Sequence, residues 1–369
     1  MSKLQQLSQA GTAVWLDFVD RKFLEQGGLK KLVDTDGLTG VTSNPTIFEK
    51  AMGAGDAYDS GFAEFDRAHP GAEPMARYEA QAVKDIQAAC DTLLPVYERL
   101  DAKDGYVSLE VSPYLALKGP ETAEEAARLW DAVDRPNLMI KIPGTDDGVR
   151  AIRDTIAKGI NVNVTLLFGI EAYKQVALAY AEGLEERVSK GLDIARIASV
   201  ASFFVSRIDS KIDDAIDAGT GGEEARPLKG KVAIANAKLA YAWYQEFVAS
   251  ERWQKLAAKG AQPQRLLWAS TGTKNPDYPD TLYVDALIGP DTVNTMPPKT
   301  MDAFRDHGTV AQTLTADVDG ARHVLAEAKR LGLDLDGVTK TLVDEGVASF
   351  SKSFDDLLKV IGGKQPATA

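Results

Sequence analysis

The strongest constraint on the fold of this 369-residue chain is a regular alternation of short strand-like runs with helical patterns. Eight such runs occur, and most are separated from the next by a segment with helical periodicity. They span 12–18, 39–44, 105–112, 137–143, 160–168, 196–204, 265–271 and 291–297. Strands that alternate with helices form parallel sheets, and eight is the number of strands that closes a barrel. We therefore predict an α/β fold, a single (β/α)8 TIM barrel with extra helices.

Two connections between the predicted strands are longer than one helix requires, and the chain continues beyond the eighth strand. Residues 45–104 and 205–264 have helical patterns and are predicted insertions, the second interrupted at GTGGEE (219–224). A helical C-terminal extension is predicted from about residue 300, and the final GGKQPATA is predicted to be a frayed tail. Because the strands are spread over most of the chain, we predict one domain that covers residues 1–369.

Two helix boundaries carry explicit sequence signals. Thr122 and Glu125 have the spacing of a capping box, in which each side chain bonds to the backbone N–H of the other residue. Thr145 followed by two aspartates predicts a second helix start, and Gly159 predicts the end of that helix.

The charge balance limits the partners that the chain can bind. With 42 Lys and Arg against 54 Asp and Glu, the formal net charge is −12. Such a field repels nucleic acid and anionic lipid, so neither is expected, and an anionic ligand needs a local basic cluster. No apolar run has the length of a membrane span, and the N-terminal MSKLQQLSQAG lacks a signal-peptide core. We therefore expect a cytoplasmic protein without membrane contact.

The cysteine and histidine content argues against a metal site. Cys90 is the single cysteine, so no disulfide can form within the chain, and its place on an apolar helical stripe predicts core packing. The three histidines, His69, His307 and His323, share no strand end. We expect neither a metal-ligand set nor a hydrolase triad.

Residue parity predicts which side chains point into the barrel. Side chains alternate between the two faces of a strand, so one set of alternate residues faces the outer helices and the other faces inward. In the first, third, fourth and fifth strands the outer set is aliphatic. The opposite set contains polar residues late in each strand, namely Asp17, Glu110, Lys141, Asn163 and Thr165. Because TIM-barrel active sites form at the C-terminal strand ends, this is the predicted site.

Lys141 is the most unusual member of this set because it interrupts an otherwise apolar strand, LMIKI. An inward lysine could form a buried structural ion pair with Asp17 or Glu110. Alternatively, desolvation could favour a neutral amine that acts as a nucleophile, although the nearby carboxylates favour the ammonium form. Two carboxylates accompany the single lysine, together with hydroxyl and amide groups, and this composition suits chemistry better than packing.

A second cluster predicts an anion site at the ends of the sixth and seventh strands. Arg207 and Lys274 follow these strands, and Ser202 and Ser270 lie near their ends. Bases and hydroxyls in one sector of a barrel rim suggest a phosphate site, one sector away from the usual position. The alternative is that these bases are solvated loop charges.

Asn44, which precedes Pro45, also has two interpretations. An asparagine before a proline is a common helix start, with the asparagine as N-cap. The same side chain could instead lie over the mouth of the barrel. The sequence leaves both open.

Seven motifs together resemble a known family. They are WLDF, GVTSNPTIFEKA, SLEVSP, MIKIPGT, GINVNVTLLF, ASFFVSR and NTMP. In this order they resemble the transaldolases, in the bacterial branch with the longer chain, over residues 10–362. The resemblance implies a class I aldolase of the pentose phosphate pathway that uses no metal and no organic cofactor. Such enzymes transfer a dihydroxyacetone unit from sedoheptulose 7-phosphate to glyceraldehyde 3-phosphate, giving erythrose 4-phosphate and fructose 6-phosphate.

The resemblance also implies a role for each matching catalytic residue. Lys141 matches the Schiff-base lysine of the family. Asp17 matches the carboxylate that takes the proton from the C4 hydroxyl of the donor. Glu110 matches an acid/base that acts through a water held with Thr165.

Further residues match the substrate-binding positions of the family. Asn44 and Asn163 match side chains that hold the dihydroxyacetone hydroxyls. The remaining matches are the phosphate-binding Ser202, Arg207 and Lys274 and the pocket-lining Phe204. The expected partners are therefore sugar phosphates, and the protein is expected to be a monomer or a homodimer. Two alternatives remain, a fructose 6-phosphate aldolase-like enzyme and a non-catalytic barrel that binds sugar phosphates.

Overall fold

The computed structural model describes residues 1–364, in which eight parallel strands form a closed barrel. Each strand pairs with the next along the chain, and the last pairs with the first. The strands are β1 (Thr12–Asp17), β2 (Gly40–Thr42), β3 (Tyr106–Glu110), β4 (Leu138–Pro143), β5 (Val162–Leu167), β6 (Ser199–Phe204), β7 (Arg265–Ala269) and β8 (Thr292–Met296). The predicted TIM barrel is confirmed.

Helices surround the barrel and fill the long connections. Those up to β5 are α1 (Lys3–Gln9), α2 (Arg21–Glu25), α3 (Gly28–Asp36), α4 (Pro45–Gly53), α5 (Asp59–Ala68), α6 (Pro74–Arg99), α7 (Gly119–Val133) and α8 (Asp146–Ala157). The later ones are α9 (Ile170–Ser189), α10 (Ser206–Asp217), α11 (Gly222–Ala225), α12 (Val232–Ala249), α13 (Glu251–Ala257), α14 (Leu282–Asp285), α15 (Pro298–His307), α16 (Val318–Arg330) and α17 (Leu335–Gly363). Short 3-10 helices occupy Pro113–Leu115 and Arg226–Leu228.

The helices α4 to α6 lie in the first long connection, α10 to α13 in the second, and α15 to α17 after β8. The single-domain organisation stays a prediction. The predicted tail began at residue 362, but α17 continues through Gly363, and residues 365–369 lie outside the described part of the chain. Within residues 1–364, no helix combines the length and the apolar character needed to cross a membrane.

One predicted helix start is correct and the other is wrong. Thr145 caps α8, its Oγ1 accepting from the N–H of Gly148 at 3.1 Å. Thr122 caps nothing, because α7 begins at Gly119 with a proline in its first turn. The proline sets a helical φ upstream of the predicted start, so the Thr122 hydroxyl lies inside the helix and donates to the Lys118 carbonyl at 2.8 Å.

Cys90 is fully buried within α6, which confirms its predicted core packing. The N-terminal end of the barrel holds a buried ion pair that parity did not predict. Asp104 Oδ2 lies 3.3 Å from an Arg265 guanidinium nitrogen, and Asp104 Oδ1 accepts from Trp15 Nε1 at 2.9 Å. Thr39 donates to the same carboxylate at 2.9 Å. This barrel therefore contains a structural ion pair, but the pair lies at the N-terminal ends of the strands and not at the predicted site.

Candidate active site

The strand register places three inward polar residues side by side. Glu110 of β3 pairs in register with Lys141 of β4, which in turn pairs with Asn163 of β5. Lys141 is only 4% exposed and Glu110 only 8%. Lys141 Nζ lies 3.2 Å from Glu110 Oε2 and donates a hydrogen bond to the Ser43 carbonyl at 3.1 Å. The side chain of Lys141 therefore extends from β4 toward β3 and the end of β2, and its nitrogen lies at the carboxyl ends of the strands.

The surroundings of Glu110 favour its protonated form. Burial raises the pKa of the Glu110 carboxyl, and the negative charge of Asp17 adds to this, while nearby Lys141 opposes both. Neither carboxyl oxygen of Glu110 has a hydrogen-bond partner among residues 1–364, and the same is true of Thr165 Oγ1. Buried polar atoms of this kind normally need a partner, so they can accept or donate to a small polar ligand.

Asp17 lies at the end of β1 and is oriented by a hydroxyl pair. Thr42 donates to Asp17 Oδ1 at 2.6 Å and also bonds to the Thr295 hydroxyl at 2.7 Å. Burial raises the pKa of Asp17, while the positive charge of Lys141 is the largest opposing effect. A raised pKa makes this carboxylate a stronger base than an exposed aspartate.

Asn163 is part of a buried chain of hydrogen bonds across the barrel. Its Nδ2 donates to Ser108 Oγ at 2.9 Å, and its Oδ1 accepts from Ser202 Oγ at 2.7 Å. The structure thus links Asn163, a predicted hydroxyl-binding residue, to Ser202, a predicted phosphate-binding residue. Both are nearly inaccessible to solvent, with 0% and 2% exposure.

Asn44 satisfies both of the interpretations that the sequence left open. Its Oδ1 caps α4 by accepting from the N–H of Ile47 at 2.9 Å. The residue also lines the cavity at the mouth of the barrel. The amide oxygen is therefore used by the helix, and the amide nitrogen, which has no hydrogen-bond partner within residues 1–364, can contact a ligand.

These residues surround a cavity of about 160 Å³ at the C-terminal end of the barrel. Its predicted lining residues are Asp17, Asn44, Lys141, Ser202, Phe204, Arg207 and Lys274. The lining does not include Glu110, Asn163 or Thr165. Glu110 contacts the lining residue Lys141, and Asn163 contacts the lining residue Ser202. Nine of the ten predicted residues lie late in barrel strands or after them, whereas Asn163 is the second residue of β5.

The two predicted phosphate-binding bases lie on the same side of this cavity. Arg207 is half-buried, and its guanidinium carbon lies 5.3 Å from the centroid of the Phe204 ring. Burial lowers the pKa of Arg207. The pKa of Lys274 is also lowered, mainly by burial and secondly by the positive charge of Arg207. Within residues 1–364 neither base forms an ion pair, and Lys274 is exposed to solvent. Two positive charges at one cavity wall, which act on each other and on Asp17, favour an anionic ligand.

A family model described as transaldolase/fructose-6-phosphate aldolase matches residues 14–361. This chain belongs to that family.

Several relatives in the transaldolase/fructose-6-phosphate aldolase family are similar over 95% or more of their length. A transaldolase of Parafrankia sp. (strain EAN1pec) is 50% identical over 363 residues, which cover 98% of both chains. The transaldolase of Thiobacillus denitrificans is 48% identical and covers 98% of this chain and 100% of its own. That of Mycobacterium tuberculosis is 47% identical, with 96% and 95% covered.

This member of the family has cavity residues that parity did not find. Thr42 and Thr295 orient Asp17, whereas Ser270, already named in the predicted anion cluster, lines the cavity with a left-handed φ of 54°. Parity could have found the two threonines, which lie on inward positions of β2 and β8. Phe350 also lines the cavity, but it comes from α17 and carries no strand signal.

Proposed function

We propose that this protein is a transaldolase of the pentose phosphate pathway. It transfers a dihydroxyacetone unit from sedoheptulose 7-phosphate to glyceraldehyde 3-phosphate, giving erythrose 4-phosphate and fructose 6-phosphate. The observation that carries the proposal is the position of Lys141. This residue is buried, its Nζ lies 3.2 Å from Glu110 Oε2, and it lines the same cavity as Asp17. A lysine between two carboxyl groups can form a Schiff base, and the protonated Schiff base supplies the electron sink that carbon–carbon cleavage requires.

Formation of the Schiff base needs proton transfer in two directions. The amine of Lys141 attacks the ketone carbon of the donor, and the resulting carbinolamine loses water to give the iminium. Glu110, whose pKa is raised by burial, is suited to donate the proton that this departing water needs. A water held between Glu110 and Thr165 would relay that proton and satisfy their unpartnered oxygens.

Cleavage of the donor follows from the position of Asp17. The carboxylate takes the proton of the C4 hydroxyl, the C3–C4 bond breaks, and its electron pair moves into the iminium to form an enamine on Lys141. The aldehyde product leaves, and the enamine then attacks the carbonyl carbon of the acceptor. Reversal of the first steps releases the new ketose.

The remaining predicted residues are proposed to bind the substrate. Arg207 and Lys274 would hold the phosphate, and Ser202 would join them by turning its hydroxyl hydrogen from Asn163 Oδ1 to a phosphate oxygen. Phe204 would shape the wall beside them. The Nδ2 group of Asn44 would contact a hydroxyl of the dihydroxyacetone unit. Asn163 would do the same with its second amide hydrogen, since the first is donated to Ser108.

We expect the enzyme to act in the cytoplasm as a monomer or homodimer. Its proposed roles are tested by borohydride reduction in the presence of fructose 6-phosphate, followed by peptide mass mapping. We expect a covalent three-carbon adduct on Lys141 in the wild-type protein and none in Lys141→Arg. An adduct on a different lysine would overturn the proposal.

A coupled assay separates this function from the two alternatives. Turnover of fructose 6-phosphate that depends on added erythrose 4-phosphate supports transfer. Sustained turnover without the acceptor would instead indicate a fructose 6-phosphate aldolase-like enzyme. No turnover, with retained binding of the sugar phosphate, would indicate a non-catalytic binding barrel.

A further inference from the structure

The C-terminal extension reaches the proposed catalytic lysine. Helix α17 packs against α4, α6 and α10 and contacts the end of β5. Its residue Phe350 is only 5% exposed and lines the cavity together with Lys141 and Asp17. The centroid of the Phe350 ring lies 5.8 Å from Lys141 Nζ, within the range of a cation–π contact. Part of the cavity wall next to the lysine is therefore an aromatic ring from outside the barrel.

Several contacts hold α17 in this position. The hydroxyls of Ser353 and Thr46 are 2.8 Å apart, which ties the helix to α4 beside the cavity. Near the end of the helix, a guanidinium nitrogen of Arg77 donates to the Ile361 carbonyl at 2.5 Å. At Gly346 an added Cβ would lie 2.7 Å from a Leu166 methyl carbon, so the helix backbone approaches β5 closely. The ring is thus presented by an anchored helix.

An enamine on Lys141 has two possible fates, and the environment of the lysine nitrogen decides between them. In transfer, the enamine carbon forms a bond to the acceptor aldehyde. In the competing reaction a proton adds to that carbon, water adds to the resulting iminium, and the carbon–nitrogen bond breaks to release dihydroxyacetone and the free lysine. The second route consumes one water and needs no other reactant. Its distinctive step, protonation of the enamine carbon, is slowed by anything that keeps bulk water away from that carbon.

We propose that Phe350 is a specificity-determining residue that commits the bound three-carbon unit to transfer. Its ring closes the cavity wall beside the lysine nitrogen and keeps bulk water from delivering a proton to the enamine carbon, while the water proposed at Glu110 and Thr165 still serves the iminium steps. Its π face stabilises the positive iminium. This inference rests on the Schiff-base role proposed for Lys141. It assigns the C-terminal extension a function in choosing between transfer and simple aldol cleavage.

The test compares two products in Phe350→Leu and the wild-type protein. Free dihydroxyacetone is measured with fructose 6-phosphate alone, and transfer is measured with erythrose 4-phosphate added. We expect the ratio of release to transfer to rise by about three- to thirtyfold, the factor that loss of a desolvated cation–π contact can produce. Phe350→Met, which fills similar volume without an aromatic face, should raise the ratio in the same direction.

Phe354→Leu is the matched control on the same helix. Phe354 is 2% exposed, its ring centroid is 5.2 Å from that of Tyr78, and it does not line the cavity that holds Lys141. This variant should keep the wild-type ratio. An equal rise in Phe354→Leu would show that a loosened α17 is the cause, and the inference would fail.

Borohydride trapping is run on every variant to separate this inference from the proposed function. Trapping of Lys141 with an unchanged release ratio in both Phe350 variants would overturn the role of Phe350 alone. Absence of an adduct on Lys141 in the wild-type protein would overturn the Schiff-base proposal and this inference with it.

Discussion

At the residue scale, burial assigns different tasks to the two carboxyl groups near Lys141. Both have raised pKa values, but Asp17 accepts a hydrogen bond from Thr42 whereas Glu110 has no hydrogen-bond partner within residues 1–364. A hydrogen bond donated to a carboxylate stabilises its charged form, which suits a base. For Glu110, burial raises the pKa in spite of the opposing charge of Lys141, which favours the protonated form and suits an acid.

The first prediction separates the role of Asp17 from that of Lys141. Asp17→Asn keeps the size of the side chain and a carbonyl oxygen that can accept from Thr42, but it removes the base. Cleavage should stop after iminium formation, with turnover lower by roughly 10²–10⁴. Mass analysis after borohydride treatment should find a six-carbon adduct on Lys141 with fructose 6-phosphate. A three-carbon adduct as abundant as in the wild-type protein would rule out this role.

At the element scale, one glycine sets how closely α8 approaches β4. A Cβ on Gly148 would lie 1.9 Å from the carbonyl oxygen of Pro143, two residues after Lys141. This close approach lets the N-cap Thr145 close the first turn of α8 directly above the strand end. Position 148 therefore requires glycine for space, because the facing atom belongs to the backbone and cannot rotate away.

The second prediction follows from this contact. Gly148→Ala should force α8 away from β4 and lower the free energy of unfolding by about 2–3 kcal/mol, as overpacking does. The control is Gly53→Ala at the end of α4, where the nearest atom to the added Cβ is 4.0 Å away. That change should be neutral or stabilising by up to about 1 kcal/mol. Denaturant unfolding measures both, and equal midpoints would contradict the prediction.

At the scale of the whole molecule, a buried carboxylate couples stability to pH. Asp209 of α10 is 1% exposed, and it accepts from the N–H of Ala233 at 2.8 Å and from the Tyr283 hydroxyl at 3.0 Å. Burial raises its pKa from the usual 3.8 to about 7, against the opposing effect of these hydrogen bonds. The folded state therefore binds a proton more tightly than the unfolded chain between these two values. Stability from this group falls as the pH rises through that window.

The third prediction uses Asp209→Asn, which keeps the acceptor for Ala233 and offers an amide to the Tyr283 oxygen. The variant lacks the buried charge, so it should be more stable than the wild-type protein by about 2–4 kcal/mol at pH 8. The difference should shrink steadily as the pH falls toward 4. Asp131→Asn, on the exposed face of α7, is the control and should show no such trend. Urea unfolding at several pH values makes the measurement, and a difference independent of pH would contradict it.

The sequence by itself determined the features that depend on neighbouring residues. Alternation with a period of two identifies the strands and puts Lys141, Glu110 and Asp17 on one side of them, because successive side chains of a strand point in opposite directions. The start of α8 at Thr145 was equally predictable, because its cap bonds within one turn. The family motifs then suggested a role for each side chain, and the structure places seven of those ten side chains around one cavity.

Only the tertiary structure decided the contacts between residues that are distant in the chain. Nothing near Phe350 in the sequence indicates Lys141, and nothing near Asp104 indicates Arg265; both pairs depend on how helices and strands meet in space. Asn44 could serve as helix cap and cavity residue together because α4 begins at the barrel rim. Local patterns determine which face of an element is polar, whereas packing determines what that face meets.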